Sequence, residues 1–382
     1  MSPQREIASE SARAVHLGVA GMTATVTFGP GLEELAEEMA ALWSHAASSG
    51  TSDSPDITLD YVLEGTCVPA GATPMALRRT AAYTVSGNIT RRVIQKLLGA
   101  RLLLHAGAVE IAGLGTVVVV GPSGAGKSTA TTRLGRGGRY LSDELTILDP
   151  QEFAVTAYPK PVSMRVPGSR AKRDVALREV DLRPAREGAA PSMVVLLERE
   201  RSGEVLRASE PSVRRLPLAE ALMHLIPQTS SLWRVPDGLS RLATLLTSTG
   251  GALAVRYREA EELAGLLGDA PAPSAETFTP IPRAEQQLDL PAGMYGVAPY
   301  AHALALESGI FVLTEREGVY LPGIAGIAWA ALRRHGCLAP DGLERQIIHE
   351  LGEHPQSSRF VRAALGDLVS RGWVRRGPMT SH

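Results

Sequence analysis

The segment Gly121-Pro-Ser-Gly-Ala-Gly-Lys-Ser128 restricts what this chain can fold into more than any other feature. It matches the pattern G-x-x-x-x-G-K-[S/T] in full, with an apolar run before it and a helix-compatible stretch after it, the context the pattern requires. Gly121, Gly124 and Gly126 permit a backbone course closed to other residues, so successive N–H groups turn inward towards phosphate oxygens. A helix starting at Lys127 adds the partial positive charge of its N-terminus. Lys127 offers a point charge to the β- and γ-phosphates, and the Ser128 hydroxyl is suited to Mg2+. The expected nucleotide contacts are therefore Gly121, Ser123, Gly124, Ala125, Gly126, Lys127, Ser128 and Thr129.

The neighbouring sequence supplies the rest of an α/β unit. Val109 to Gly121 holds two strand-like runs separated by the hairpin-like Gly113-Leu-Gly115, and a strand is expected around Tyr140–Leu148, after the helix. That strand carries two acids, Asp143 and Glu144, where a carboxylate can accept a hydroxyl proton or complete a Mg2+ shell. Two acids on an exposed turn would look the same. His105, in Leu102-Leu-Leu-His-Ala-Gly107, reads on its own as a core or turn histidine. Further on, strands are expected at Met193–Leu197 and Leu253–Tyr257, and helices at Leu218–Leu225, Gly238–Leu246 and Glu259–Leu267.

A chain of 382 residues exceeds one ordinary core, so two or three domains are expected. Four blocks follow from the patterning. Residues 1–100 read as an α+β lobe, with strands at Met22–Phe28 and Ile57–Leu63 and a helix over Gly31–Trp43. Residues 101–268 hold the phosphate loop. Residues 269–284 contain four prolines without amphipathic period and read as an extended linker. Residues 285–382 show short strands at Ala303–Leu306, Phe311–Leu313 and Gly318–Leu321, then helices at Ala325–Arg334, Asp341–Leu351 and Ser357–Gly372, then a closing strand at Trp373–Arg375. That order is winged-helix-like.

Basic and acidic residues balance at 39 and 40, which gives no electrostatic footprint for nucleic acid or an anionic membrane. The N-terminus lacks the apolar run of a signal peptide, and no stretch is long and apolar enough to span a bilayer, so a cytoplasmic location is expected. Cys67 and Cys337 stand in no metal-like spacing and read as two buried thiols.

Leu104-His105-Ala106, the loop Gly121–Ser128 and Asp143-Glu144, in this order, resemble the catalytic domain of the HPr kinase/phosphorylase family. Tyr158-Pro-Lys-Pro-Val-Ser-Met164 is similar to a segment of its kinase-only relatives. The resemblance implies an α/β P-loop kinase core using ATP and Mg2+. Asp143 would be the base for a seryl or threonyl hydroxyl. Lys127 would serve catalysis, His105 would lie near the transferred phosphate, and Ser128, Asp143 and Glu144 would hold the metal. Glu144 replaces the Asp of the bifunctional enzymes, and their downstream glycine-rich segment is absent, which favours kinase activity alone over phosphorolysis. A homo-oligomer is compatible with this resemblance.

Gly309 to Leu332, with Gly318-Val-Tyr-Leu321 and Trp329, resembles a PqqD-type peptide-recognition domain. This implies that 303–335 takes up a ribosomally made precursor peptide by strand addition, in which backbone hydrogen bonds give affinity and side-chain pockets give selectivity. The combined expectation is a peptide kinase whose linker brings a tethered substrate to the active site. A kinase of a metabolite or carrier protein, and a non-catalytic nucleotide-binding scaffold, stay open on the sequence.

Overall fold

The computed structural model describes residues 12–48, 54–122, 124–166, 168–169, 171–199, 210–283 and 289–378. It is a mixed α/β protein whose contacts divide it into two compact units. The first comprises Met1–Arg215, Gln228–Ser230 and Ala252–Pro273, and the second Leu216–Pro227, Ser231–Gly251 and Ser274–His382.

Among the described residues the first unit holds three sheets of four or more strands and a two-stranded one, Val162–Arg165 with Lys172–Val175. At the N-terminal end, Arg13–Val19, Met22–Phe28, Ile57–Leu63 and Thr73–Met75 form a four-stranded sheet in that order. The alternation that marks Met22–Phe28 as a strand places Ala24, Val26 and Phe28 on the buried face. The helices Glu33–Leu42 and Ala81–Leu97 cover it. The second helix escapes sequence reading because Thr84, Ser86, Gly87, Asn88 and Thr90 are poor helix formers. Tertiary packing decides instead: Ala82, Val85, Ile89 and Val93 recur at helical spacing and are buried. The buried Ser86 hydroxyl accepts from Trp43 Nε1 at 3.1 Å.

A six-stranded sheet carries the phosphate loop, in the order Ser212–Arg215, Leu253–Tyr257, Pro191–Arg199, Gly115–Val120, Ala106–Ile111, Arg139–Ser142. The central three strands are parallel, and both margins are antiparallel. Val117, Val118, Val119 and Val120 are all fully buried, as in a strand with both faces covered. The helix Lys127–Gly135 packs on this sheet, and Gly107 makes the approach close: a Cβ there would lie 2.1 Å from Thr131 Cγ2.

A small sheet joins Glu187–Gly188, Val155–Thr156, Thr146–Leu148 and Leu102–Leu104. The strand expected around Tyr140–Leu148 is thus two strands in two sheets, broken at Asp143-Glu144-Leu145. Leu103, Leu145, Ile147, Tyr158 and Ala176 share a core with the N-terminal sheet, so the first hundred residues do not form a core of their own.

The second unit contains a four-stranded antiparallel sheet, Phe278–Ile281, His302–Leu306, Gly309–Leu313 and Gly318–Pro322. Residues 278–281, read from the sequence as linker, are therefore its edge strand. One face, with Ala303, Ile310, Val312 and Leu321, packs with Trp329 and Leu332 of the helix Gly323–His335 and with the helices Pro340–Leu351 and Ser357–Ser370. The other face buries Leu304 and Phe311 completely, and a Cβ on Gly318 would meet Ile226 Cδ1 at 2.8 Å. This apolar second face gathers Leu218–Leu225 and Gly238–Ser248 into the second unit. Val374–Arg376 pairs with Tyr295–Val297. The cysteine expectation fails: Cys67 is exposed and Cys337 only partly covered, both in loops. No helix among the described residues is long and apolar enough to cross a membrane.

Candidate nucleotide and phosphoryl-transfer site

The glycine loop leaves the strand Gly115–Val120 and enters the helix at Lys127. Gly124 and Gly126 adopt φ of +85° and +91°, the left-handed region that side chains disfavour, and Gly126 caps the helix. Gly121 is buried, while Gly124 and Thr129 are exposed, and Ser123 lies outside the described residues. The loop is braced from behind, where the Tyr257 hydroxyl donates to the Ala125 carbonyl at 2.9 Å. A Cβ on Gly126 would stand 2.6 Å from that hydroxyl oxygen. Lys127 Nζ donates to the Gly121 carbonyl at 2.6 Å. Burial and the repulsion of Lys172 lower its pKa, against the attraction of Glu144 and Asp143.

The two acids and the histidine meet at one junction. Leu102–Leu104 pairs with Thr146–Leu148 in the small sheet, and Ala106–Ile111 pairs with Arg139–Ser142 in the large one. Both chains therefore pass from sheet to sheet side by side, one at His105 and the other at Asp143-Glu144-Leu145. The backbone groups released there find local partners. Ser142 Oγ accepts from the N–H groups of Glu144 and Leu145, Thr146 Oγ1 donates to the Ala106 carbonyl, and His105 N–H donates to the Gln228 carbonyl.

Asp143 is 2% exposed, and its Oδ1 is buried without a hydrogen-bond partner. Burial raises its pKa; Lys160 opposes the rise, Glu144 adds to it, and the Tyr140 and Ser128 hydroxyls facing the carboxyl oppose it. Glu144 reaches towards solvent and pairs with Lys160 Nζ at 2.8 Å. Its burial acts upwards, but the charge and hydrogen bond of Lys160 leave its pKa below the ordinary carboxylate value. The His105 ring is solvent-accessible yet close enough to the protein for desolvation, followed by Lys127, to lower its pKa.

Apart from Ser123, the expected site residues are all described: Asp143 lies in reach of Ser128, Glu144 and Lys127, and His105 in reach of Lys127 and Glu144. Sequence reasoning missed the layer behind them. Lys160 is 1% exposed, and its Nζ donates to Ser163 Oγ at 2.8 Å. Ser163 Oγ in turn donates to Asp174 Oδ1 at 2.8 Å. The available signal was a lysine set between two prolines in an apolar context, Tyr158-Pro-Lys-Pro161.

Among the described residues, no three His, Cys, Asp or Glu side chains converge as a cage for a metal. The unpartnered Asp143 Oδ1 and the neighbouring Ser128 hydroxyl are oxygen donors of the kind that Mg2+ takes.

No family model and no curated protein matches the chain. Among solved structures, an Hpr(Ser) kinase/phosphatase from Coxiella burnetii is similar at 12% identity, over 44% of this chain and 94% of that one, with a TM-score of 0.26. An overlap of that size carries no weight for function.

Proposed function

We propose that the chain transfers the γ-phosphoryl group of ATP to a seryl or threonyl hydroxyl of a ribosomally made precursor peptide. The observation that carries this reading is Asp143: a carboxyl buried beside the phosphate loop, with one oxygen unpartnered. A buried polar atom without a partner costs about 1–3 kcal/mol, which favours a role as acceptor for a proton or ligand that arrives with substrate. The loop N–H groups and Lys127 hold the phosphates. The acceptor oxygen forms the new P–O bond, the bond to the β-phosphate oxygen breaks to leave ADP, and the hydroxyl proton passes to Asp143. Ser128, Asp143 and Glu144 would hold Mg2+, which neutralises phosphate charge when bound. Burial raises the pKa of Asp143, the direction that makes a carboxylate a better proton acceptor.

The peptide part of the proposal draws on the second unit. Gly318–Pro322 ends the order of its sheet, leaving an edge to which an extended peptide can add, beside the helix Gly323–His335. This edge lies within 303–335, the region whose sequence resembles a PqqD-type domain.

The test uses the full chain, because the second unit's sheet and its covering helices draw on residues before 285. Candidate Ser- and Thr-containing precursor peptides are incubated with ATP and Mg2+, and added phosphate mass is followed. Asp143→Asn should keep metal-free ATP affinity and transfer phosphate about 10²–10⁴-fold more slowly. Backbone amide exchange over Gly318–Pro322 should slow when peptide is present. Equal transfer by Asp143→Asn removes the assigned base, and unchanged exchange removes the strand-addition site.

A further inference from the structure

We propose that Lys160 is the positioning residue of this site: gripped by Ser163 and Glu144, its ammonium fixes the Glu144 carboxylate where Mg2+ is to be received. The inference rests on the phosphoryl-transfer reading above and concerns residues that the sequence motifs leave without a role.

A lysine at 1% exposure is costly unless its charge is paired and its protons are satisfied. Here the ammonium is met by Ser163 Oγ at 2.8 Å, by Glu144 Oε2 at 2.8 Å and by the ring of Tyr83, whose centre is 5.9 Å away. The backbone behind it is equally fixed. Tyr158 N–H donates to the Leu141 carbonyl at 2.9 Å, and the Tyr158 hydroxyl bonds Thr90 Oγ1 at 2.9 Å. His45 Nε2 donates to the Pro159 carbonyl. Pro159 and Pro161 restrict φ on either side and bring no N–H that would need a partner.

The partners explain why this rigidity bears on the site. Asp143 and Asp174 are both buried, and each keeps one unpartnered oxygen. The ion pair is nevertheless made to Glu144, whose side chain is 38% exposed at the open end of the cluster. The buried Asp143 acts on the Lys160 charge more strongly than Glu144 does, yet the direct ion pair is made to Glu144. Lys160 reaches Asp174 through Ser163 and spends its direct contact on the outermost acid. Its position is set from the core, and it sets the position of Glu144.

The test measures Mn2+ as the probe metal, titrated by electron paramagnetic resonance in the presence of ADP, beside metal-free ADP binding by calorimetry. Lys160→Met keeps an unbranched side chain one atom shorter and removes the charge. It should bind ADP alone as wild type does and Mn2+ about 10–100-fold more weakly, the usual loss when a group orienting a metal ligand is removed. Lys160→Met that binds Mn2+ with ADP as tightly as wild type, or more tightly, overturns the proposal. If Lys160→Met does not fold, Ser163→Ala decides, since it leaves the charge and frees the ammonium: weaker Mn2+ binding supports the role and unchanged binding overturns it. Wild-type protein that binds no ADP overturns the nucleotide reading, and with it this one, and that failure is visible in the wild-type arm alone.

Discussion

Gly107 lies under the helix that carries Lys127 and Ser128, and replacing it by alanine tests whether that helix is seated by contact with the sheet. Its φ is not in the left-handed region, so alanine brings steric trouble only. The new Cβ would sit 2.1 Å from Thr131 Cγ2 and 3.3 Å from both Thr131 Cβ and the Ser142 carbonyl oxygen. Forcing a methyl into so full a space costs about 1–3 kcal/mol. Loss of chain entropy in the unfolded state returns about 0.4–1 kcal/mol, leaving a net cost of about 1–2 kcal/mol. At about 2–4 °C per kcal/mol for a unit of this size, the thermal midpoint should fall by about 2–8 °C. ADP affinity should fall at least about threefold, because the helix must lift to relieve the clash and its first turn holds the phosphates.

Thr131→Ser separates this cause from a general weakening. It removes the clashing methyl and keeps the hydroxyl, which donates to the Lys127 carbonyl at 2.9 Å. Alone it should cost about 1 kcal/mol, the worth of one buried methyl. With Gly107→Ala it should restore both midpoint and ADP affinity to the level of Thr131→Ser alone, a coupling of about 1–2 kcal/mol. Melting by circular dichroism and calorimetric ADP titration give the two readouts. Simple additivity of the two substitutions would refute the reasoning, since contact between these two side chains would then not be what limits the helix.

Two further expectations follow from neighbouring contacts. Tyr257→Phe removes the hydroxyl that holds the Ala125 carbonyl, and should cost about 1–3 kcal/mol of stability while weakening ADP binding; an unchanged titration would mean the loop keeps its course without that brace. His45 has its pKa lowered by burial, partly offset by its bond to Pro159, so the unfolded chain takes up the proton first and stability is lost as pH falls below the ordinary histidine value of 6.5. His45→Gln, which retains a donor and does not titrate, should flatten the fall in thermal midpoint between about pH 7 and 5; an equal fall in both proteins would assign the acid sensitivity elsewhere.

The legible parts of the fold were those in which local pattern and tertiary demand agree. Met22–Phe28 and Ile57–Leu63 alternate and pack one face, and both strands stand where the alternation puts them. The phosphate loop was legible because Gly124 and Gly126 take positive φ, a need that no packing partner can replace, although Gly121, expected to share it, does not. Ala81–Leu97 was not, since its helix formers are weak and its stability comes from the sheet beneath. The boundaries of the units were obscured for a related reason. Leu218–Leu225 and Gly238–Ser248 look the same in sequence whichever sheet they cover, and the apolar face of a sheet assembled from residues after 277 decides the matter. Phe278–Ile281 contains a proline and so reads as linker, yet an edge strand tolerates one.

The junction between the two sheets shows why the acidic pair was found while its setting was not. A hydrophobic strand interrupted by Asp-Glu suggests function because burying two carboxylates inside a ladder is costly. What the sequence cannot display is that Leu102–Ile111 breaks at the same level, so that His105 faces the interruption from the neighbouring chain. Two adjacent strands that leave one sheet together and enter another must each release backbone groups at the crossing. Ser142, Thr146 and Gln228 take up those groups here. The backbone at the crossing is thereby satisfied locally, and His105, Asp143 and Glu144 stand within reach of the Lys127 charge. The strand break thus provides both the geometry of the site and its electrostatics: it puts Asp143 deep enough for burial to raise its pKa, and Glu144 shallow enough to meet Lys160 at the rim.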